Sequence, residues 1–342
     1  MKIEDLKYTL GGEHLVAEPR EIRLGRRDLG RMIVVDRKNK KHIDSFVLNL
    51  PDYFEAGDVL ILNNSKRVPG ILKGNIVGNN AQVELLFVNL GKNDSAMCRI
   101  YPTHHVSIGT VIKFGNDKVE VIQKGLTTNN LYEVHAVTDS LKDVLKRNGV
   151  AINAFFSSRE WTVDHLNPYY STIEGSVESP LAGLHFTPEL LETLRKKGVK
   201  IGYITLHSSG SWLPFLEETV DDHKVFEEEF EMPEETATLI NKAKKVGKKV
   251  VVCGSTAMRS IETSSDDKGI AHAQKGVSHL FIKPGYQFKI VDHYFTNFHQ
   301  YRTSLMELDA AFCGKDFLMK TYEEAKKRGY IFYEFGDAVF YL

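Results

Sequence analysis

Three histidines stand next to short apolar segments of the chain, and their side chains could exchange protons near neutral pH. They are His185, His207 and His299. The alternative for each is a single hydrogen bond inside a core. No HExxH pattern or Cys/His spacing supports a metal site, and no GxSxG elbow indicates a serine hydrolase. The histidines are therefore candidates for proton transfer, and we predict no metal ligands.

A second candidate site follows the apolar run that ends at Cys253. Gly254, Ser255 and Thr256 are predicted to open a helix whose free backbone amides face a carboxylate or phosphate. The spacing is that of neither a P-loop nor a dinucleotide-binding turn, so a plain capping turn is the alternative. Arg259 and Glu262 lie on one face of this helix, where they either bind the same ligand or pair with each other.

Aromatic residues supply a third kind of candidate. Tyr286 follows a Pro-Gly turn, and because turns expose side chains that strands bury, it could stack on a base. The aromatic run from Tyr330 to Phe335 is at least as consistent with a core.

The pattern of elements around these residues predicts two domains. Short β-type segments separated by turns run from Gly57 to about residue 139. They are Asp58–Leu62, Val83–Val88, Thr110–Phe114, Lys118–Ile122 and Tyr132–Val137. Their regular spacing predicts a compact antiparallel barrel or sandwich. After residue 180 the order helix, glycine, strand occurs three times, at Thr187–Leu206, Pro233–Cys253 and Phe317–Tyr333. We predict a large α/β domain (1–63 and 140–342) that carries most of the site, and a smaller antiparallel β-barrel domain (64–139). Loops at the carboxyl ends of strands are the usual place for such a site.

Composition excludes several classes of protein. The chain has 342 residues, 42% of them hydrophobic and 26% charged, which is typical of a globular protein rather than a disordered one. It contains no apolar run of about 20 residues and its start lacks the apolar core of a signal peptide, so we expect a cytoplasmic protein without membrane association. The net charge of −1 argues against broad coating of nucleic acid, but Arg20–Lys41 carries nine cations against three anions and could face phosphates.

Taken in order, segments along nearly the whole chain resemble the S-adenosylmethionine:tRNA ribosyltransferase-isomerases of queuosine biosynthesis. The segments are Gly57–Asn64, Ala182–Thr187, Thr205–His207, Gly254–Glu262, Pro284–Phe288, Thr296–His299 and Gly336–Ala338. The resemblance implies a large α/β domain with a smaller β-barrel. It also implies transfer of the ribosyl part of S-adenosylmethionine to 7-aminomethyl-7-deazaguanine at the tRNA wobble position, with rearrangement to epoxyqueuosine and release of adenine and methionine.

The resemblance also suggests roles for individual residues. The three histidines would transfer protons, and Arg259 with the Gly254 turn would hold the methionine carboxylate. Tyr286 and Gln287 would contact a purine-like base, and Asn297 would orient a ribose hydroxyl. The expected partners are S-adenosylmethionine, as a consumed co-substrate without any cofactor, and the anticodon arm of tRNA. We expect a monomer.

Several segments depart from the family pattern. They are Asn63–Lys66, Ile71, Ser179–Gly183, Ser208–Leu213, Val225–Glu228 and Asn297–Tyr301. Lys66 and Ile71 stand where the family carries arginine, and lysine cannot reproduce a bidentate guanidinium contact. The departures leave two rival hypotheses open: a diverged paralogue acting on another nucleoside, and a non-catalytic RNA-binding protein of the same fold.

Overall fold

The computed structural model describes residues 1–91, 93–124, 131–151, 161–210, 214 and 217–342. The strands are β1 (Arg31–Asp36), β2 (Lys41–Phe46), β3 (Val59–Asn63), β4 (Ser65–Arg67), β5 (Ile71–Ile76), β6 (Gln82–Phe87), β7 (Ser95–Tyr101), β8 (Val111–Phe114), β9 (Asp117–Lys124), β10 (Leu131–Ala136), β11 (Ile173–Ser176), β12 (Lys200–Leu206), β13 (Glu228–Met232), β14 (Val250–Cys253), β15 (Gln274–Ser278), β16 (His293–Asn297) and β17 (Ala338–Tyr341). The α-helices are α1 (Arg20–Leu24), α2 (Leu141–Asn148), α3 (Pro188–Lys196), α4 (Glu234–Lys245), α5 (Ser255–Thr263), α6 (Ser304–Cys313) and α7 (Lys315–Lys327).

Nine strands form one large mixed sheet in the order β15-β13-β12-β3-β14-β16-β17-β1-β2. Its central strands β12, β3, β14 and β16 are parallel to one another. Both faces are covered: Ile33 and Val35 of β1 point into a core with α4 to α7, whereas Met32 and Val34 point into a core with α3. Burial on both faces is expected for parallel strands, because both faces of a parallel sheet are apolar and are covered by helices.

The second unit is a closed barrel of six antiparallel strands in the order β10-β7-β6-β5-β8-β9. Alternate residues of its strands are buried, as in β6, where Val83, Leu85 and Phe87 point inward. Helix α2 packs against this barrel core through Leu141, Val144 and Leu145. The predicted fold class, a large α/β unit with a smaller antiparallel barrel, is confirmed; the domain limits given above stay a prediction.

Capping residues mark the starts of two helices, as their sequence signals predict. Thr187 accepts a hydrogen bond from the Leu190 amide at 3.1 Å and Pro188 occupies the first position of α3, while Ser140 caps α2 in the same way. The third predicted helix-strand unit is wrong in its strand. Tyr330 to Tyr333 follow α7 without entering the sheet, and β17 begins later, at Ala338.

The aromatic side chains explain this difference. Tyr330 and Phe332 are buried, and the Phe332 ring stacks on Phe298 with centroids 4.3 Å apart. The backbone amide of Phe332 donates to the His14 carbonyl at 2.9 Å. Packing against the N-terminal segment therefore replaces strand pairing in this run. Among the helices that the structure describes, none combines the length and apolar character needed to cross a bilayer.

Candidate active site at the carboxyl ends of the parallel strands

The predicted loops meet at one edge of the large sheet. Asn63 ends β3, Gly254 follows β14, Asn297 ends β16 and His207 follows β12. Because these four strands are parallel, their carboxyl ends lie side by side. The Asn63 side-chain amide ties three of these segments together, donating to the Leu206 carbonyl and to the Thr256 hydroxyl, both at 3.0 Å.

The Gly254 turn has the predicted form. Gly254 has a φ of 85°, a conformation that glycine adopts without strain, and α5 begins directly after it. Ser255 and Thr256, each 8% exposed, line a cleft together with Arg259. In this conformation the cleft leaves a volume of only about 10 Å³, roughly enough for one water molecule, so a small-molecule ligand requires its lining side chains to move.

Arg259 is not free in this cleft. Its guanidinium forms a buried ion pair with Glu228 at the start of β13, and it donates to the Ser278 carbonyl at 3.5 Å. Glu228 is 1% exposed and also accepts from the Ser209 amide at 2.8 Å. Burial raises the pKa of Glu228, although the neighbouring arginine opposes this. A ligand carboxylate that binds Arg259 must therefore replace or share its contact with Glu228.

The Glu262 side chain faces a neighbouring loop, whereas the sequence predicts that it binds the same ligand as Arg259 or pairs with Arg259. Its carboxylate faces the segment 286–291 and accepts from the Tyr286 hydroxyl at 3.1 Å and from the Lys289 amide at 2.9 Å. The amides of Ile290 and Val291 donate to its other oxygen at 3.2 and 3.3 Å. Within the described residues, Glu262 thus anchors a loop and does not pair with Arg259.

We predict that Glu262→Gln destabilises the fold. One carboxylate oxygen becomes an NH₂ group that faces backbone donors, and each buried donor left without an acceptor costs about 1–3 kcal/mol. Chemical denaturation should show a loss of about that size, whereas the exposed Glu323→Gln should change little. Equal stabilities of the two variants would contradict the anchoring role.

Tyr286 and Gln287 lie outside the cleft. The Tyr286 ring packs edge-on against Phe288 with centroids 5.2 Å apart, while its hydroxyl is engaged by Glu262. Gln287 is exposed, and its side-chain amide donates to the Gly285 carbonyl at 3.3 Å. The structure therefore does not bring these two residues together with Arg259.

His185 and Asn297 are both buried at the sheet edge. His185 is fully buried, its ring lies 5.4 Å from that of Phe295, and neither ring nitrogen has a hydrogen-bond partner among the described residues. Burial, with the nearby Arg20 charge, holds the pKa of His185 well below its usual range. Asn297 donates to the Tyr333 carbonyl at 2.9 Å. Neither side chain reaches the surface of the cleft.

His299 belongs to an internal network of polar groups. Its Nδ1 lies 2.8 Å from the Asp309 carboxylate and its Nε2 lies 3.3 Å from the Thr296 hydroxyl. Its backbone amide donates to the Tyr322 hydroxyl at 2.8 Å. Both ring nitrogens are engaged, so His299 serves as a connection between β16 and α6 in this conformation.

His207 is the predicted histidine with an available ring nitrogen. Its Nδ1 lies 2.8 Å from the Ser65 hydroxyl, which lies 2.8 Å from the Ser176 hydroxyl. Its Nε2 has no hydrogen bond within the part of the chain that the structure describes, and the ring is only partly buried. Burial lowers the pKa of His207 to about 4, with smaller effects from Lys142 and Lys275, so its imidazole is neutral at pH 7.

Several residues of this site were not predicted to belong to it. They are Gly175, Ser176, Lys142 and Lys275, together with Ser65 and Glu228, which were named only as parts of segments that depart from the family pattern. Serines and glycines in short polar segments carry no local signal of a site. Residues 211–213 of the departing segment Ser208–Leu213 lie outside the described residues. Among the residues described, no group of three His, Cys, Asp or Glu side chains is arranged to hold a metal.

The fold and the cleft define a two-part α/β protein with a candidate ligand site at the carboxyl ends of its parallel strands. Residues 3–341 match the family model of the queuosine biosynthesis proteins, and the chain belongs to this family. The resemblance inferred from the motifs is therefore confirmed.

Known proteins agree with this membership. An S-adenosylmethionine:tRNA ribosyltransferase-isomerase from Acetivibrio thermocellus is 34% identical, with 99% of both chains covered. A protein of the same name from Moorella thermoacetica is 32% identical over the whole of both chains. The crystal structure of S-adenosylmethionine tRNA ribosyltransferase from Thermotoga maritima is 28% identical, with a TM-score of 0.55, and covers 99% of this chain and 100% of that one.

Proposed function

We propose that this protein transfers the ribosyl part of S-adenosylmethionine to 7-aminomethyl-7-deazaguanine at the tRNA wobble position and isomerises it. The products are epoxyqueuosine in tRNA, adenine and methionine. S-adenosylmethionine is consumed as a co-substrate, and the reaction needs no further cofactor. The observation that carries the proposal is full-length membership of the family, whose relatives bear the name of this activity.

The cleft beside α5 is suited to the methionine end of the sulfonium substrate. Arg259 offers a buried guanidinium, the group best able to bind a carboxylate through two parallel hydrogen bonds. Thr256 and Ser255 supply hydroxyls at the start of the helix, whose N-terminus favours negative charge. The carboxylate of methionine would compete with Glu228 for Arg259, so substrate binding would be coupled to a rearrangement of that pair.

The tRNA is expected to approach next to His207. Four lysines lie in this region, which we call the rim lysines: Lys66, Lys142, Lys146 and Lys275. Lys142 donates to the Glu174 carbonyl at 3.1 Å and Lys146 pairs with the Glu174 carboxylate at 2.5 Å. Glu174 adjoins Gly175, and Gly175 lies against the His207 ring. The lysines that contact Glu174 therefore lie close to His207.

The Arg20–Lys41 block contributes less to this surface than its charge predicts. Arg20 is 1% exposed and donates to the Gly336 carbonyl at 2.7 Å, and Arg27 is likewise buried. Arg37 donates to the carbonyls of Leu342, Phe312 and Asp292. Much of the block thus stabilises the fold, and this favours the rim lysines as the phosphate contacts.

Removing one rim lysine should weaken tRNA binding and its dependence on salt. We expect Lys142→Gln or Lys275→Gln to lower the slope of log affinity against log salt by about 1, because each contact releases about one counterion. Lys245→Gln, an exposed lysine of α4, is the matched control. Salt slopes equal to that of the unmodified protein would exclude these lysines as phosphate contacts.

The direct test mixes the protein with S-adenosylmethionine and tRNA that carries the aminomethyl deazaguanine. We expect adenine release together with the mass of epoxyqueuosine in the digested tRNA. Binding of S-adenosylmethionine without this product would instead indicate a diverged paralogue with another acceptor. Binding of tRNA without affinity for S-adenosylmethionine would indicate a non-catalytic RNA-binding protein. We further propose that the protein acts as a monomer in the cytoplasm.

A further inference from the structure

The hydroxyls behind His207 form a chain of hydrogen bonds with a defined direction. The Ser208 amide donates to the Ser176 Oγ at 2.9 Å, so this oxygen already accepts one hydrogen bond. Ser176 Oγ lies 2.8 Å from Ser65 Oγ, which lies 2.8 Å from His207 Nδ1. Both serine side chains are fully buried. Each hydroxyl has one hydrogen to donate, and it must go to a partner within this group.

Three arrangements of the protons connect these atoms. In two of them His207 Nδ1–H donates to Ser65. If Ser65 then donates to Ser176, the hydrogen of Ser176 has no acceptor among the described residues, and if Ser176 donates to Ser65, the hydrogen of Ser65 has none. In the third, Ser176 donates to Ser65 and Ser65 donates to an unprotonated Nδ1, so that every hydrogen is used. A buried hydroxyl that donates to nothing is unfavourable, and the third arrangement is preferred.

From this geometry we infer that His207 rests with its proton on Nε2 and acts in the reaction as a hydrogen-bond donor, with Ser65 and Ser176 as positioning residues. The inference rests on the proposed function. It differs from the assignment of His207 as a base, because a protonated Nε2 cannot accept a proton from the substrate. The ligand group that it recognises is an acceptor atom, a ring nitrogen or an oxygen, that gains negative charge as a bond breaks.

A neutral imidazole can fill this role. Its low pKa keeps His207 uncharged at pH 7, so its N–H polarises an acceptor without carrying a full charge into the site. Gly175 lies so close to the ring that a Cβ there would meet Cε1, Nε2 and Nδ1 at 2.5–2.7 Å. The ring is therefore held on one side by packing and at Nδ1 by Ser65, which leaves Nε2 as the atom that can reach a ligand.

Nitrogen NMR of histidine-labelled protein tests the tautomer without any substrate. The chain has 13 histidines, so the His207 signals are assigned by their loss in His207→Gln. We expect Nε2 at the position of a protonated ring nitrogen and Nδ1 at that of an unprotonated one. Ser65→Ala removes the hydroxyl that donates to Nδ1 and should shift the population towards protonated Nδ1, whereas Ser264→Ala, another buried serine, should not. A protonated Nδ1 in the unmodified protein would overturn the inference.

Turnover provides a second, independent readout. Glutamine places an NH₂ group near the position of Nε2 but cannot act as a base, so His207→Gln should retain at least tenfold more activity than His207→Ala. Equal loss in both variants, with both folded, would contradict a donor role. If the unmodified protein has a protonated Nε2 but forms no epoxyqueuosine, the inferred tautomer stands and only the proposed function is contradicted.

Discussion

Replacing Arg259 by methionine should lower the affinity for S-adenosylmethionine at least about 30-fold, the equivalent of about 2 kcal/mol. The variant should also be less stable by about 3–5 kcal/mol, because Glu228 remains buried without its counterion. Calorimetric binding and chemical denaturation measure the two effects separately. Methionine keeps most of the volume of the arginine stem, so a cavity contributes little.

The double variant Arg259→Met with Glu228→Gln separates ligand binding from stability. Removing the unpaired charge should restore most of the stability but not the affinity for S-adenosylmethionine. If the double variant binds as tightly as the unmodified protein, Arg259 does not hold the substrate carboxylate.

The pH dependence of the single variant follows from the carboxyl group. Burial already raises the pKa of Glu228 above its unfolded value, and losing Arg259 raises it further. The folded state then binds a proton more tightly than the unfolded state, so the stability deficit should shrink as the pH falls. A deficit that grows towards acid pH would show that another group is responsible.

Substituting alanine for Gly175 should lower kcat about 100-fold and leave the fold intact. The added Cβ would lie 2.5–2.7 Å from three atoms of the His207 ring, so the ring must move by about an ångström. Displacements of that size in an active site reduce rates by about two orders of magnitude. Gly175 has no positive φ, and alanine therefore fits its backbone without strain.

Gly276→Ala is the matched control, because Gly276 also lies in a strand and a Cβ there meets nothing within 4 Å. The KM for tRNA should stay near its original value in both variants, since neither change removes a rim lysine. Single-turnover kinetics with adenine detection would measure kcat. An unchanged kcat in Gly175→Ala would exclude His207 from the rate-determining chemistry.

Two of the six barrel strands have no clear strand pattern in the sequence. Strands β6, β8, β9 and β10 correspond to predicted segments, whereas β5 and β7 were not predicted individually. β5 contains Lys73, Gly74 and Asn75 in its centre, which weakens any strand signal. Pairing with β6 and β8 stabilises it in the closed barrel.

The sequence by itself determined the fold class, the family and the starts of helices α2 and α3, because capping, alternation and ordered motifs depend on neighbouring residues. Tertiary structure alone decided which groups meet. Ser65 bonds to His207 across 142 positions and to Ser176 across 111, and Arg259 pairs with a carboxylate 31 positions away. It also turned Glu262 towards a loop and buried Arg20. Such contacts depend on which faces of distant segments pack together. Burial makes an unpaired polar group unfavourable, so the packing that pairs these groups is favoured.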